Sequence, residues 1–135
     1  MQDAIKIKRT LAIDLLALAQ ASPNAEICGL VSSIDGKPVR IYPVNNVAGN
    51  PACHFDMDPQ QQIDALRMIR EQNETLFAIY HSHPTAPAVP SKEDVHQWAY
   101  SEALGLIISL SIKGVLEMRA YEFADQTYTE RSLIL

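Results

Sequence analysis

Nowhere in the chain do Lys and Arg gather into a run. The 11 basic residues are scattered and outnumbered by 16 acidic ones, for a net charge of −5. That balance leaves no electrostatic footprint for nucleic acid and disfavours an anionic membrane surface. Long apolar stretches are missing as well. No segment nears the roughly 20 apolar residues of a membrane span. The opening residues, MQDAIKIKRT, lack the apolar core of a secretory leader. Cysteine is scarce: Cys28 and Cys53 are too few for a disulfide framework. Both therefore read as free thiols, and a reducing, cytoplasmic setting is expected. Cys28 lies in the apolar run ICGLV and is expected to be buried and inert. Repeats, low-complexity tracts and long linkers are absent too, so residues 1–135 read as one domain.

What is present is a globular composition. Hydrophobic residues make up 47% and charged residues 20% of 135 positions. A chain of this length buries about two thirds of its unfolded surface without staples. TLAIDLLALAQA puts Leu11, Leu15 and Leu18 on one helical face, with Thr10 as the expected N-cap. EICGLVSS reads as a buried strand, DGKP as a turn, and VRIYPV as a second strand with Val39 and Ile41 on one face. In DPQQQIDALRMIREQ, Asp58 can cap a helix, Pro59 suits its first position and Gln61 can close a capping box. Ile63, Leu66 and Ile69 would form its apolar side. TLFAIYHSH is a strand, SKEDVHQWAYSE a helix and LGLIISLS a further apolar strand. Lys113-Gly114 is expected to turn the chain into VLEMRAYEF, and SLIL to close the sheet as a last strand. The expected class is α/β, a mixed sheet with helices on its faces.

One stretch concentrates the chemistry. AIYHSHPTAPAVPSKEDVHQW sets His81 and His83 at strand spacing, so both imidazoles project from one face. A loop containing Pro84, Pro87 and Pro90 follows, then Ser91 and Asp94. If that loop doubles back, His81, His83 and Asp94 form a two-imidazole, one-carboxylate set that suits Zn²⁺ and leaves a fourth position open. The prolines would lower the cost of ordering the loop. A plainer reading also stands: Ser91 and Asp94 have the spacing of a capping box. The two readings are compatible, since one carboxylate can close a cap and face an ion.

His-Ser-His, seven residues, Ser, two residues, Asp resembles the signature of the JAMM, or MPN-plus, metalloprotease family. Glu26-Ile27-Cys28-Gly29-Leu30 is similar to that family's upstream motif in small bacterial members. The one departure is an extra residue between Pro23 and Glu26. The resemblance spans about Pro23 to Leu110 and implies a JAB/MPN fold, which zinc deaminases share broadly. Deaminases, however, need His-x-Glu and Pro-Cys-x-x-Cys, and neither occurs here. The resemblance further implies one Zn²⁺ on His81, His83 and Asp94, with Glu26 as general base and Ser91 as the hydroxyl that meets a developing oxyanion. The implied substrate is a ubiquitin-like protein, a sulfur carrier above all, cut after its C-terminal Gly-Gly. A catalytically silent scaffold and a peptidase of small or cell-wall-type peptides are the alternatives.

The remaining candidates have plainer roles. His54 is expected to face outward from a strand or to stand beside the substrate. His96 is expected to point away from the site, and Trp98 with Val95 to pack the helix on the sheet. Asn45-Asn46 is expected to serve a turn. The oligomeric state is left open.

Overall fold

The computed structural model describes residues 4–112, 115 and 117–135. The elements run β1 (Ile5–Lys6), α1 (Arg9–Gln20), β2 (Cys28–Ile34), β3 (Lys37–Val44), α2 (Pro59–Glu71), β4 (Thr75–His83), α3 (Lys92–His96), β5 (Leu104–Ser109), β6 (Glu117–Ala124), β7 (Thr127–Arg131) and β8 (Leu133–Ile134). The main sheet has six strands in the order β3-β2-β4-β5-β6-β7. Within this sheet only the β4–β5 pair is parallel. The expected mixed sheet flanked by helices is what forms.

Alternation along the central strands sorts the core into two faces. Ala78 and Tyr80 of β4, with Leu106 and Ile108 of β5, pack against Leu11, Ala12, Leu15 and Ala19 of α1. Ile79 joins Leu30, Tyr42, Ala65 and Ile69 under α2. Ile107, Tyr121 and Phe123 lie under the loop that carries Ala88 and α3. His81 and His83 follow Ile79 at two-residue intervals and so belong to the α2–α3 face.

Several local expectations change. Lys8, not Thr10, is the N-cap residue of α1, and no side chain caps it. Ile63 is 57% exposed, so Ala65 and Ile69, with Leu66 partly buried, make the inner side of α2. Asp58 does cap α2 through the Gln61 N–H at 3.0 Å. The Gln61 side chain, however, accepts from the Asn45 N–H at 2.7 Å instead of closing the box. The third helix is only Lys92–His96. Trp98 lies beyond it, with its indole N–H on the Tyr100 carbonyl and its ring stacked 4.2 Å from Phe123. SLIL does not close the main sheet: β8 pairs in parallel with β1 as a separate two-stranded ribbon. The sixth strand is β7, joined to β6 through Asp125 and Gln126, both at positive φ. The expected turn at Lys113-Gly114 lies outside the described residues. Far from the histidines, the buried Glu74 carboxylate accepts from Ser32, Tyr42 and Arg40, so burial leaves it fully paired.

Candidate metal centre

The His-Ser-His segment ends β4, and its register is set by β2, where Cys28 faces His81. Ser82 points away from the imidazoles and is fully buried. Its hydroxyl accepts from the Ile27 N–H at 2.9 Å, while its own N–H donates to the Ile27 carbonyl at 3.1 Å. The segment after Glu26 is thereby pinned to the strand that carries both histidines. Gly29 is needed for the same closeness, because a Cβ there would strike the Tyr80 ring of β4, and the Tyr42 carbonyl oxygen of β3 as well.

The proline loop does double back. Three successive carbonyls hold it down: Ala86 accepts from Ser109 Oγ, Pro87 from His83 Nδ1, and Ala88 from the Tyr121 hydroxyl. The chain then enters α3 through a complete capping box. Ser91 Oγ accepts from the Asp94 N–H at 3.0 Å, and Asp94 Oδ2 accepts from the Ser91 N–H at 2.9 Å. The cap and the convergence of ligand atoms occur together, on the same carboxylate oxygen.

His81 Nε2, His83 Nε2 and Asp94 Oδ2 form a triangle with sides of 3.1, 3.1 and 3.3 Å. Tetrahedral bonds of 2.0–2.1 Å to an ion imply ligand separations of about 3.3–3.4 Å, so the triangle fits a zinc ion with little adjustment. The Pro87 carbonyl accepts from His83 Nδ1–H at 2.8 Å and thereby leaves the Nε2 lone pair free. Phe55 stacks on the His81 ring, with centroids 4.5 Å apart. His81 and His83 are 2% and 4% exposed.

Glu26 approaches the triangle from the segment preceding β2. One oxygen or nitrogen from each of Glu26, His81 and His83 lies within 4.8 Å of the others, a grouping that could itself hold a metal. Glu26 is 5% exposed, and its Oε1 has no hydrogen-bond partner. It is therefore not the exposed strand-end carboxylate that its position alone suggests. Burial, reinforced by Asp94 and Glu93, raises its pKa to about 7, with His83 pulling the other way. Asp94 is the reverse case. Burial pushes its carboxyl up, but hydrogen bonds from His81 and His83 outweigh burial and hold it well below the usual range. Burial lowers the pKa of His81. Of the two carboxyls, that of Asp94 is thus held charged in contact with both imidazoles, and that of Glu26 is raised.

The other candidates fall as follows. His54 sits in the β3–α2 loop, not in a strand, and its Nδ1 lies 2.7 Å from Glu93 Oε2, next to Asp94. His96 is exposed. Val95 of α3 and Trp98 just past it pack against Ile107, Tyr121 and Phe123 of the sheet, as expected. Cys28 is buried, donates to the Val44 carbonyl, and has its thiol pushed up to about 12, mainly by burial. Cys53 is exposed, and both cysteines are free. Sequence reasoning missed Ser82, Phe55 and Asn46. Only Asn46 left a trace, as half of an Asn-Asn pair that also fits an ordinary turn. No described helix is long and apolar enough to cross a membrane.

Residues 8–124 match the family described as prokaryotic homologs of the JAB domain. A desampylase of Haloferax volcanii is 31% identical over 117 residues, covering 85% of this chain and 81% of the relative. A CysO-cysteine peptidase of Mycobacterium tuberculosis is 28% identical over 126 residues, covering 92% and 86%. The solution structure of a protein from Desulfitobacterium hafniense superposes with a TM-score of 0.81 at 31% identity, over 96% of this chain and 90% of that one.

Proposed function

The chain belongs to the prokaryotic homologs of the JAB domain, and from that premise we propose that it is a zinc peptidase cutting after the C-terminal Gly-Gly of a ubiquitin-like sulfur carrier. It is a hydrolase of the JAMM type. One observation carries the chemistry: the 3.1–3.3 Å triangle of His81, His83 and Asp94 with the unpartnered, buried carboxyl of Glu26 beside it. A scaffold without activity has no use for a buried carboxyl kept free of partners. The relatives' names, desampylase and CysO-cysteine peptidase, support a protein-modifier or carrier substrate over a free small peptide.

His81, His83 and Asp94 would hold the ion. Zinc bound there supplies Lewis acidity to a carbonyl oxygen and makes a water molecule acidic near neutral pH. Glu26, with its pKa near 7, accepts a proton from the attacking water and returns it to the departing amine. The Ser91 hydroxyl accepts from the Asp94 N–H through its oxygen. Its own proton remains available for the oxygen that gains charge as the scissile carbonyl becomes tetrahedral. The Pro87 carbonyl fixes the His83 tautomer, and Phe55 covers one face of the His81 ring.

The test compares zinc per chain in the purified protein and in a His81→Ala/His83→Ala variant, then cleavage of a carrier extended by one residue after Gly-Gly. One zinc lost in the variant, with cleavage by the parent chain only, is the expected result. Zinc retained by the double variant would remove the triangle from the reading. Cleavage retained by Glu26→Gln would remove the base.

A further inference from the structure

The side chain of Asn46 is saturated. Its Nδ2 donates to the Glu26 carbonyl at 3.0 Å and to the His54 carbonyl at 2.9 Å. Its Oδ1 accepts from the N–H groups of Ala48 and Asp56, each at 3.0 Å. A primary amide has two donor hydrogens and two lone pairs, so nothing is left over, and every partner is backbone. The bonds to Ala48, His54 and Asp56 stay within the β3–α2 loop and shape it. The bond to Glu26 leaves the loop and reaches the residue twenty positions earlier.

Glu26 depends on that loop. Its N–H donates to the Pro51 carbonyl at 2.7 Å, and its own carbonyl is held by Asn46. Strand β2 begins only at Cys28, so the sheet ladder does not fix Glu26. Its side chain ends in an unpartnered Oε1, so that oxygen contributes no hydrogen bond to hold the carboxyl in place. The loop that grips its backbone also lays Phe55 on His81 and pairs His54 with Glu93. One loop therefore touches Glu26, a histidine of the triangle and the helix that carries Asp94, with Asn46 at its knot.

We infer that Asn46 is a positioning residue for Glu26: by bridging the Glu26 and His54 carbonyls it sets where the Glu26 carboxylate stands relative to the His81–His83–Asp94 triangle. This rests on the peptidase function proposed above. Asn46→Asp is the selective test. The variant keeps an oxygen for Ala48 and Asp56, but it sets a second oxygen against two carbonyl oxygens, so the bridge to Glu26 becomes repulsive while the turn acceptor survives. Gln61→Ala is the matched control. It frees the Asn45 N–H at the start of the same loop and touches nothing at Glu26.

The experiment measures kcat and KM on a ubiquitin-like sulfur carrier extended by one residue after Gly-Gly, with zinc per chain and melting temperature for each variant. A misplacement of about 1 Å costs about 10²-fold in rate, so Asn46→Asp should lose kcat on that scale with KM and zinc content unchanged. Gln61→Ala should keep parental kcat. Should Asn46→Asp fail to fold, Asn46→Ser, smaller and uncharged, must show the same loss confined to kcat. Parental kcat in the folded Asn46 variant would overturn the inference. So would a loss shared by Gln61→Ala or accompanied by loss of zinc. If the parent chain itself does not cleave the carrier, the proposed function fails and the inference goes with it. A parent that cleaves beside an unaffected Asn46 variant overturns the inference alone.

Discussion

The ring of Phe55 lies nearly parallel to the imidazole of His81, with centroids 4.5 Å and planes 23° apart. His81 needs such a partner, because its Nδ1 is buried without a hydrogen bond. His83 is oriented by the Pro87 carbonyl; for His81, the stacked ring takes that part. Groups that orient a metal ligand typically change metal affinity by about 10–100-fold when removed. Phe55→Ala should therefore raise the zinc dissociation constant by at least about tenfold, read by competition with a coloured chelator. Phe55→Trp, which keeps a flat face over the imidazole, should hold zinc better than the alanine variant. Equal affinity in all three proteins would show that the ring only fills space.

Glu26 gives a pH signature in the zinc-free protein. Its folded pKa of about 7 lies above its ordinary value of 4.5. The folded state therefore binds more protons than the unfolded state between those values, and stability falls as pH rises through that window. The cost is absent below 4.5 and complete above about 7. Glu26→Gln is neutral throughout. It should melt with the parent near pH 4 and above it at pH 8, in chelator-treated samples. A constant difference across pH would mean that the carboxyl titrates normally.

Ser91 and Asp94 share a cap but not a chemical role. Ser91→Ala removes one capping bond, at a cost of about 1 kcal/mol. It also removes the proposed oxyanion donor, at a cost of about 10²–10³ in kcat. Zinc should stay bound. Asp94→Ala also breaks the cap, and it should lose zinc as well. Metal analysis and melting of the two variants side by side separate the roles. If Asp94→Ala keeps zinc, that carboxylate is only a cap and Glu26 becomes the third ligand.

The parts of this site legible in the sequence are those built by local geometry. Strand spacing put His81 and His83 on one face, and capping chemistry put Ser91 and Asp94 at a helix start. The hidden parts are made by bonds across long sequence separations. Asn46 acts on Glu26 twenty residues earlier, and Ser82 acts on Ile27 fifty-five residues earlier. Neither separation has a periodicity to read. The shortness of α3 has a similar origin, since Trp98 leaves the helical path to stack on Phe123, an element encountered later in the chain. Strand β7 leaves little signal in the sequence because its hairpin turns on Asp125-Gln126, which lacks the glycine that marks the Asp35-Gly36 turn. Ile63 matched a helical apolar stripe, but the sheet meets α2 along Ala65 and Ile69 and leaves Ile63 outside.

Ser82 supplies the sharpest test of how the two motifs are joined. It stands between the histidines, yet it faces the other side of the sheet and accepts the Ile27 N–H at 2.9 Å. Its own side chain is wholly buried. Alanine there would leave the N–H of the half-buried Ile27 without that acceptor, a loss of about 1 kcal/mol. Valine would add a methyl group against packed neighbours and leave the same donor unmet. Threonine restores the oxygen but must fit its extra methyl group. Stability should therefore fall for alanine, and fall further for valine, by thermal melting. The rate should fall with it, because the weakened bond is the one beside Glu26, while zinc, held by the neighbouring imidazoles, should remain at one per chain. A Ser82→Ala protein that melts lower but cleaves the carrier at the parental kcat would show that Glu26 is positioned from the loop side alone, through Asn46 and Pro51. A protein that loses zinc would show instead that Ser82 sets the spacing of the two histidines and not the approach of Glu26.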